Sequence, residues 1–540
     1  MIQIAGKNLS QHALRYWRRA TTALGAVLPV LMFVATPPAH AQSGAWAMFG
    51  QNPSNTASTN TPALKNVNRL AVKWTFTTGG EVSARPAVVD NAVYVPDWGG
   101  NLWALDAKKG KALWGHKFSD YGLPANTNSR TSPAVSDGVV YVGTQEGAWL
   151  LAIDAKTGSL IWKTQLESAA NDPFAIVTAS PVVVQGVVYT GVASLEEGVA
   201  ANPAYPCCRA RGSVLAVNAK TGQILWRTYT VPTGYSGGGV WGSNLAVDTT
   251  RGSVFVGTGN NYAHPTDPSY LQCVATGGTA EACTSPANHV DAVLALDTKT
   301  GAIKWVYKAV NWNQPFIANG TDDWNVACLV GFLPGQGNCP TSAGPDYDFA
   351  SAPNLITYTA ADGSQKTILG AGQKSGIYYA FDPDTGALLW QTQVGPGSAL
   401  GGMEWGSAFD GKRIYVSIAN LYGIPYSAGG AGSWAALDPA TGKIIWQVAD
   451  PNGAITVGPV TAANGAIFVS SMAGSATAPT MLALDAATGQ TLWTFAAGSS
   501  VNAGPSVVDG VVYWGSGYAH LGIPGFTTNN KFYAFSVDGK

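Results

Sequence analysis

The stretch "SPAVSDGVVYVGTQEGAWLLAIDAKTGSLIWKT", residues 132–164, decides the fold. It alternates short runs of β-branched residues with turn residues, Asp137-Gly138 after the first run and Lys156-Thr157-Gly158 before the last. Such a pattern predicts four antiparallel strands joined by tight turns. Its last part is a fixed phrase: Asp154, two variable residues, Thr157-Gly158, three more, then Trp162. The phrase occurs seven times, opening at Asp106, Asp154, Asn218, Asp297, Asp382, Asp438 and Asp485, with Lys109 in place of the Thr in the first copy, and a Trp always stands eight residues on. Gly in the turn tolerates positive φ, and the Asp carboxylate can accept from turn N–H groups. The repeated Trp reads as packing between repeats, since aromatic area dominates cores.

A long period with four strands per repeat predicts an all-β propeller. An eighth unit is divided between the chain ends: "KFYAFSVDGK" at residues 531–540 reaches the turn and stops, whereas "LAVKWTF" at residues 70–76 carries Trp74 without a turn before it. Pairing the two closes the ring and removes two exposed sheet edges. The expected fold is therefore an eight-bladed β-propeller whose last blade is completed by the N-terminal strand. Charged residues are only 11% of the chain against about 25% in an ordinary globular protein, and the 65 glycines suit many turns.

Residues 1–41 differ in kind. Arg15, Arg18 and Arg19 precede the apolar run "ALGAVLPVLMFVA", and Ala39-His40-Ala41 offers a small-x-small cleavage pattern. These features predict a secretory signal peptide over 1–41 and a propeller over 42–540. The run is shorter than the roughly 18 residues of a membrane span and contains Pro29, so no span is expected in the mature chain. Removing the segment takes four cations and no acids, and the net charge moves from −1 to −5. Such a surface excludes nucleic acid as a partner. The six cysteines all lie beyond the signal, as an oxidising compartment such as the periplasm favours. Cys273/Cys283 and Cys328/Cys339 read as staples of short loops. Cys207 and Cys208 are adjacent, with Cα atoms about 3.8 Å apart across a trans peptide, below the usual disulfide span of roughly 4.4–6.8 Å. They either form a tight vicinal ring, pair elsewhere or remain thiols; the ring, the expected form, would present a flat sulfur surface to a planar cofactor.

Between Trp162, Trp226, Trp305 and Trp390 the spacing stretches to 64, 79 and 85 residues. Extra length in a propeller collects in loops, where binding residues concentrate. That window, about 165–375, lacks metal-spaced histidines, a Ser nucleophile elbow and a Walker loop, and "GTGNNY" and "GAGQKSG" have no following helix to make a dinucleotide site. No C-x-x-C-H motif is present to attach a c-type haem.

The repeats, with "WGSNLAVDTTRGSVFVGTGNNY" (241–262), "NGTDDWN" (319–325), "GAGQKSGIYYAFDPDTG" (370–386) and "GGMEWGSAFDGKRIYV" (401–416), resemble the quinoprotein alcohol dehydrogenases, and most of all their polyvinyl alcohol dehydrogenase branch. The resemblance spans about residues 44–540. It implies pyrroloquinoline quinone (PQQ) and Ca²⁺ as cofactors and an alcohol as substrate. Because no haem is attached to this chain, it also implies a separate periplasmic electron acceptor such as a cytochrome c. Carried over residue by residue, it makes Glu196 in "GVASLEEG" a calcium ligand, with Glu197 as the near alternative, and Asn260 in the G-T-G-N turn another. Asp322 in "DDWN" becomes both catalytic base and metal ligand, with Asp323 as the alternative. Lys374 stands beside the quinone carbonyls and Trp241 under the ring, while Arg130 and Thr178 hold the cofactor carboxylates. Trp405 lies near the cofactor, with Glu404 where the family has Asn, and Cys207 and Cys208, in a different loop from that of the methanol-oxidising relatives, either reach the quinone by another route or brace the loop. A non-catalytic propeller scaffold of the outer-membrane-assembly type is the alternative; it would need none of Glu196, Asn260, Asp322 and Lys374.

Overall fold

A computed structural model describes residues 45–60, 64–242, 244–309, 338–339, 344–520 and 522–540. Residues 1–41, where a signal peptide is expected, and Asp322, Asp323 and Cys328 lie outside them. Eight four-stranded antiparallel sheets make the blades. Blade 2 corresponds to the opening segment: its strands are Ala134–Ser136, Val139–Gly143, Trp149–Asp154 and Leu160–Gln165, in the order expected of a meander. Blade 8 consists of Ser506–Val508, Val511–Gly515 and Lys531–Val537 closed by Leu70–Thr77, with Leu70 opposite Val537 and Thr77 opposite Lys531. The ring is thus fastened by the N-terminal strand, as the divided eighth unit predicts.

The repeated phrase locks each blade to the next. Asp154 Oδ1 accepts from the N–H groups of Lys156 at 3.1 Å and Thr157 at 2.7 Å, which fixes the turn. The indole of each Trp then reaches across: Trp114 donates to Ala155 O, Trp162 to Ala219 O and Trp226 to Thr298 O, all at 3.0 Å. In each case the acceptor follows the Asp or Asn of the next blade's phrase. The turn glycine leaves room for this indole, since a Cβ on Gly301 would meet Trp226 Cε3 at 2.5 Å. Blade 8 has no complete phrase, and Trp493 donates instead to Leu70 O at 2.8 Å on the closing strand.

Replacing Gly301, whose φ is +70°, by Ala is expected to add steric conflict worth about 1–3 kcal/mol to the roughly 1–2 kcal/mol of left-handed strain. Gly411 is the control: its φ is +90° but nothing lies within 4 Å of an added Cβ, so Gly411→Ala should carry the strain alone. Comparison of the two variants by urea unfolding checks this; equal losses would remove the Trp-docking argument.

The segment before the first blade crosses the inner strands of six blades. Trp46 pairs with Val88 in blade 1, and Val135 N–H donates to Ala47 O in blade 2. Val247, Leu355 and Phe409 N–H groups of blades 4, 5 and 6 donate to Pro53, Ser54 and Thr56 carbonyls, and Ser58–Thr59 pairs in parallel with blade 7. Arg85, fully buried at the entry to blade 1, donates to Phe49 O at 2.8 Å and Val460 O at 2.9 Å, tying this segment to the entry of blade 7. The long intervals hold insertions: the helix Glu196–Ala200 in blade 3, and the helices Pro268–Ala275 and Ala280–Cys283 in blade 4, the latter two joined by the Cys273–Cys283 disulfide. Cys339 is disulfide-bonded as well. Among the described residues no helix is long and apolar enough to cross a membrane.

Candidate active site

Residues at the ends of inner strands in blades 2 to 6 converge. In blade 5 the strand Gln365–Gly372 runs into "QKSG", and Gly376 turns the chain with φ +78°, where a Cβ would lie 2.0 Å from Gly395 O. Lys374 is left buried, its Nζ 3.0 Å from Asp346 Oδ2 and 3.0 Å from Asp348 Oδ2. Burial by itself would lower its proton affinity, but Asp346 and Asp348, backed by Glu404 and Glu197, hold the ammonium well above the ordinary lysine range. Lys374 also sits over the Trp241 ring, 5.0 Å from its centroid.

Asp348 organises what lies beneath. Its Oδ2 accepts from Trp241 Nε1 at 2.8 Å and its Oδ1 from Asn260 N at 2.9 Å, so one carboxylate positions the indole, the Asn backbone and the lysine. Asn260 Nδ2 in turn donates to Glu197 Oε1 at 3.1 Å. Asp291 lies in the same buried acidic neighbourhood, and burial, reinforced by Asp348, raises its pKa well above the carboxylate range.

Glu196, the first choice of metal ligand from the sequence, is turned into its own loop. Its carboxylate accepts from Tyr205 Oη at 2.7 Å, Arg209 N at 2.8 Å and Ala210 N at 2.6 Å, and it braces the loop that contains Cys207 and Cys208. Glu197, one residue on, is the carboxylate that meets Asn260. Sequence spacing cannot separate them, because adjacent positions in one helical turn point about 100° apart. Cys207 and Cys208 are bonded to each other. Neither lines the cavity described next.

That cavity is lined by Arg130, Trp241, Lys374, Glu404, Trp405 and Tyr518 together with the apolar Leu400, Val457 and Phe526. Trp241 and Trp405 meet edge to face with centroids 5.5 Å apart, and the Arg130 guanidinium stacks 3.9 Å from the Trp405 ring centroid. Thr178 donates to Trp241 O at 3.0 Å and lines a smaller cleft with Arg130 and Trp405. Trp405 has φ +60°, a left-handed conformation unusual for a bulky residue and characteristic of functional sites. It is held by its N–H to Ala350 O at 3.0 Å. Trp405 Nε1 and Glu404 Oε1 are buried with no hydrogen-bond partner among the described residues.

The structure therefore brings together Arg130, Thr178, Trp241, Asn260, Lys374 and Trp405, all expected from the sequence. It adds Glu197, Asp346, Asp348 and Glu404 to the working set. Asp346 and Asp348, in "GPDYDFA", carry little sequence signal: two acids two residues apart in a loop read as a solvated turn. Their burial against Lys374 follows from the pairing of Ser351–Ala352 with Trp405–Gly406, a long-range contact. A buried ammonium, a half-buried guanidinium, two indoles and unpartnered polar atoms suit a flat, acidic heteroaromatic molecule. Among the described residues no three His, Cys, Asp or Glu side chains form a metal cage.

A propeller with this site falls in the class of quinone-dependent oxidoreductases, and the comparisons agree. The chain is 30% identical to the polyvinylalcohol dehydrogenase of Pseudomonas sp over 92% of its own length and 76% of that protein's. It is 29% identical to the polyvinylalcohol dehydrogenase of Sphingopyxis sp. (strain 113P3) over 97% and 81%. It belongs to the quinoprotein alcohol dehydrogenase family, in the polyvinyl alcohol dehydrogenase branch, and is an enzyme of that kind. The solved quinohemoprotein alcohol dehydrogenase ADHIIG from Pseudomonas putida HK5 shares the fold, with a TM-score of 0.68 at 20% identity over 92% of this chain and 81% of that one. A family model described as outer membrane protein assembly factor BamB matches residues 68–204 and 430–540.

Proposed function

We propose that this chain oxidises an alcohol to a carbonyl compound in the periplasm with PQQ and Ca²⁺ bound at the site around Lys374, and that its substrates are secondary alcohols, including the polymer for which its relatives are named. The observation that carries the reading is the chain Lys374–Asp348–Trp241 and Asp348–Asn260–Glu197, buried at Lys374, Asp348 and Asn260 and half-buried at Trp241 and Glu197, which sets two oxygen donors and an indole beside a fixed cation. When bound, PQQ supplies the hydride acceptor and Ca²⁺ the Lewis acid. Glu197 and the Asn260 amide oxygen are the protein's ligands to the metal; hard oxygen donors suit Ca²⁺, whose remaining positions are open to cofactor and water.

Trp241 supports the cofactor plane, Arg130 and Thr178 take its carboxylates, and Lys374 stabilises negative charge that develops on reduction. Asp346, the other carboxylate paired with Lys374, accepts the substrate hydroxyl proton, a role that the sequence resemblance gives to Asp322. Loss of that proton and of hydride from the carbinol carbon turns the alcohol into an aldehyde or ketone. Leu400, Val457 and Phe526 provide an apolar wall for the carbon chain beside the reacting group. The signal segment over 1–41 supports export, and electrons then pass to a separate periplasmic carrier such as a cytochrome c.

The scaffold alternative rests on the assembly-factor likeness. That model leaves unmatched residues 205–429, the stretch holding Trp241, Asn260, Asp346, Asp348, Lys374 and Trp405, although Arg130, Thr178 and Glu197 fall within its match, so the likeness covers only part of the site. Dye-linked oxidation of a secondary alcohol by apoprotein supplied with PQQ and Ca²⁺ tests the proposal. Asn260→Ala is expected to weaken Ca²⁺-dependent PQQ retention at least tenfold while leaving the circular dichroism of the propeller intact. Equal retention by wild type and variant in a calcium titration would remove Asn260 from the metal site.

A further inference from the structure

The side chain that departs from the family pattern also has an unmet hydrogen bond. Glu404 is 4% exposed and lines the same cavity as Trp241 and Trp405, and its Oε1 has no partner among the described residues. The left-handed turn at Trp405 puts two consecutive side chains, Glu404 and Trp405, on the wall of one cavity, each with an unpartnered polar atom. A buried polar atom left unpaired costs about 1–3 kcal/mol, so a ligand that meets it recovers that cost. An ionised carboxylate can only accept, whereas a carboxylic acid can donate to a carbonyl or carboxylate oxygen.

We propose that Glu404 enters the cofactor complex as the neutral acid and donates from its buried carboxyl to an oxygen of the quinone cofactor, so that cofactor binding above neutral pH takes up one proton.

The inference rests on the PQQ reading above. The cavity must accept a molecule bearing carboxylates, and a second negative charge at Glu404 would oppose it. The groups facing Glu404 are Lys374, Arg130, Asp348 and Tyr518. Burial pushes Glu404 up to about 7, against the pull of Lys374, Arg130 and the Gly401 N–H and with reinforcement from Asp348. Lys374 is held above its ordinary range and the buried Tyr518 phenol is raised, so neither supplies a competing titration between pH 6 and 9. The sign follows. Below about 7 the free protein already carries the proton and affinity is flat; above it, ionised Glu404 must be reprotonated, and affinity falls up to about tenfold per pH unit.

The test is calorimetric titration of PQQ into Ca²⁺-saturated apoprotein from pH 6 to 9, in two buffers of different ionisation enthalpy. Wild type is expected to take up about one proton at pH 8.5 and almost none at pH 6, with Kd rising at least tenfold between pH 7 and 9. Glu404→Gln keeps the shape and a donor but cannot titrate, and should bind with a flat pH profile and no proton uptake. Wild-type binding without proton uptake at pH 8.5, or the same uptake in Glu404→Gln, overturns the inference while leaving the cofactor reading intact. Absence of PQQ binding by folded protein at every pH overturns both.

Discussion

Lys374→Met is expected to be among the most damaging single substitutions in this protein, costing about 3–5 kcal/mol of stability and nearly all activity. The ammonium is the shared partner of Asp346 and Asp348, both buried, at 3.0 Å from each. Removing it leaves two carboxylates close together in a low-dielectric pocket, and such groups respond by taking up protons. The pH dependence follows from that. A carboxylate whose pKa is raised in the folded state destabilises it as pH climbs from the ordinary carboxylate value to the raised one. The deficit of Lys374→Met against wild type should therefore be small near pH 4 and full at neutral pH. Urea unfolding at both pH values checks it. A deficit equal at both would mean that lost packing, not uncompensated charge, is the cause. Lys374→Arg, which keeps the charge, should recover much of the stability.

This arrangement was legible in the sequence only in part, for a physical reason. The Asp-to-Trp phrase encodes a local turn and a contact with the neighbouring blade, so Asp154, Gly158 and Trp162 announce both in one short string. Ring closure by Trp74's strand was equally readable, because an interrupted repeat at each end leaves one arrangement that pairs every edge. Glu197 and Asp346 were not readable in this way. Glu196 and Glu197 differ by one position on a short helix, and only the Tyr205–Ala210 loop, which uses up Glu196, decides which carboxylate faces Asn260. Asp346 and Asp348 acquire their role from Lys374, 28 residues from Asp346 along the chain and on the far side of a strand pair. Glu404 was visible as a departure from the family pattern, but its meaning depends on burial and on an unfilled hydrogen bond, which a sequence does not display.

Asp346→Asn is expected to lower the turnover of alcohol about 10²–10⁴-fold with PQQ still bound, because the amide keeps the size and the contact to Lys374 but cannot accept the hydroxyl proton. Asp322→Asn is the decisive comparison, since the sequence resemblance gives that residue the same role. Two carboxylates cannot both be the sole base, and the variants divide the outcomes cleanly. Loss in Asp346→Asn with turnover within a few-fold of wild type in Asp322→Asn supports the assignment made from the Lys374 pair. The reverse result restores Asp322 and makes Asp346 a group that positions Lys374. Cofactor retention must be measured beside the rate. Asp348 shows why: it holds Trp241 Nε1 at 2.8 Å and Asn260 N at 2.9 Å, so Asp348→Asn should release PQQ and lower the rate through lost binding. A base substitution has a different signature, a reduced kcat with the quinone absorbance of the bound cofactor unchanged. If Asp346→Asn instead loses its cofactor in step with its activity, Asp346 belongs with Asp348 as support for the floor of the site, and the proton must leave by another carboxylate.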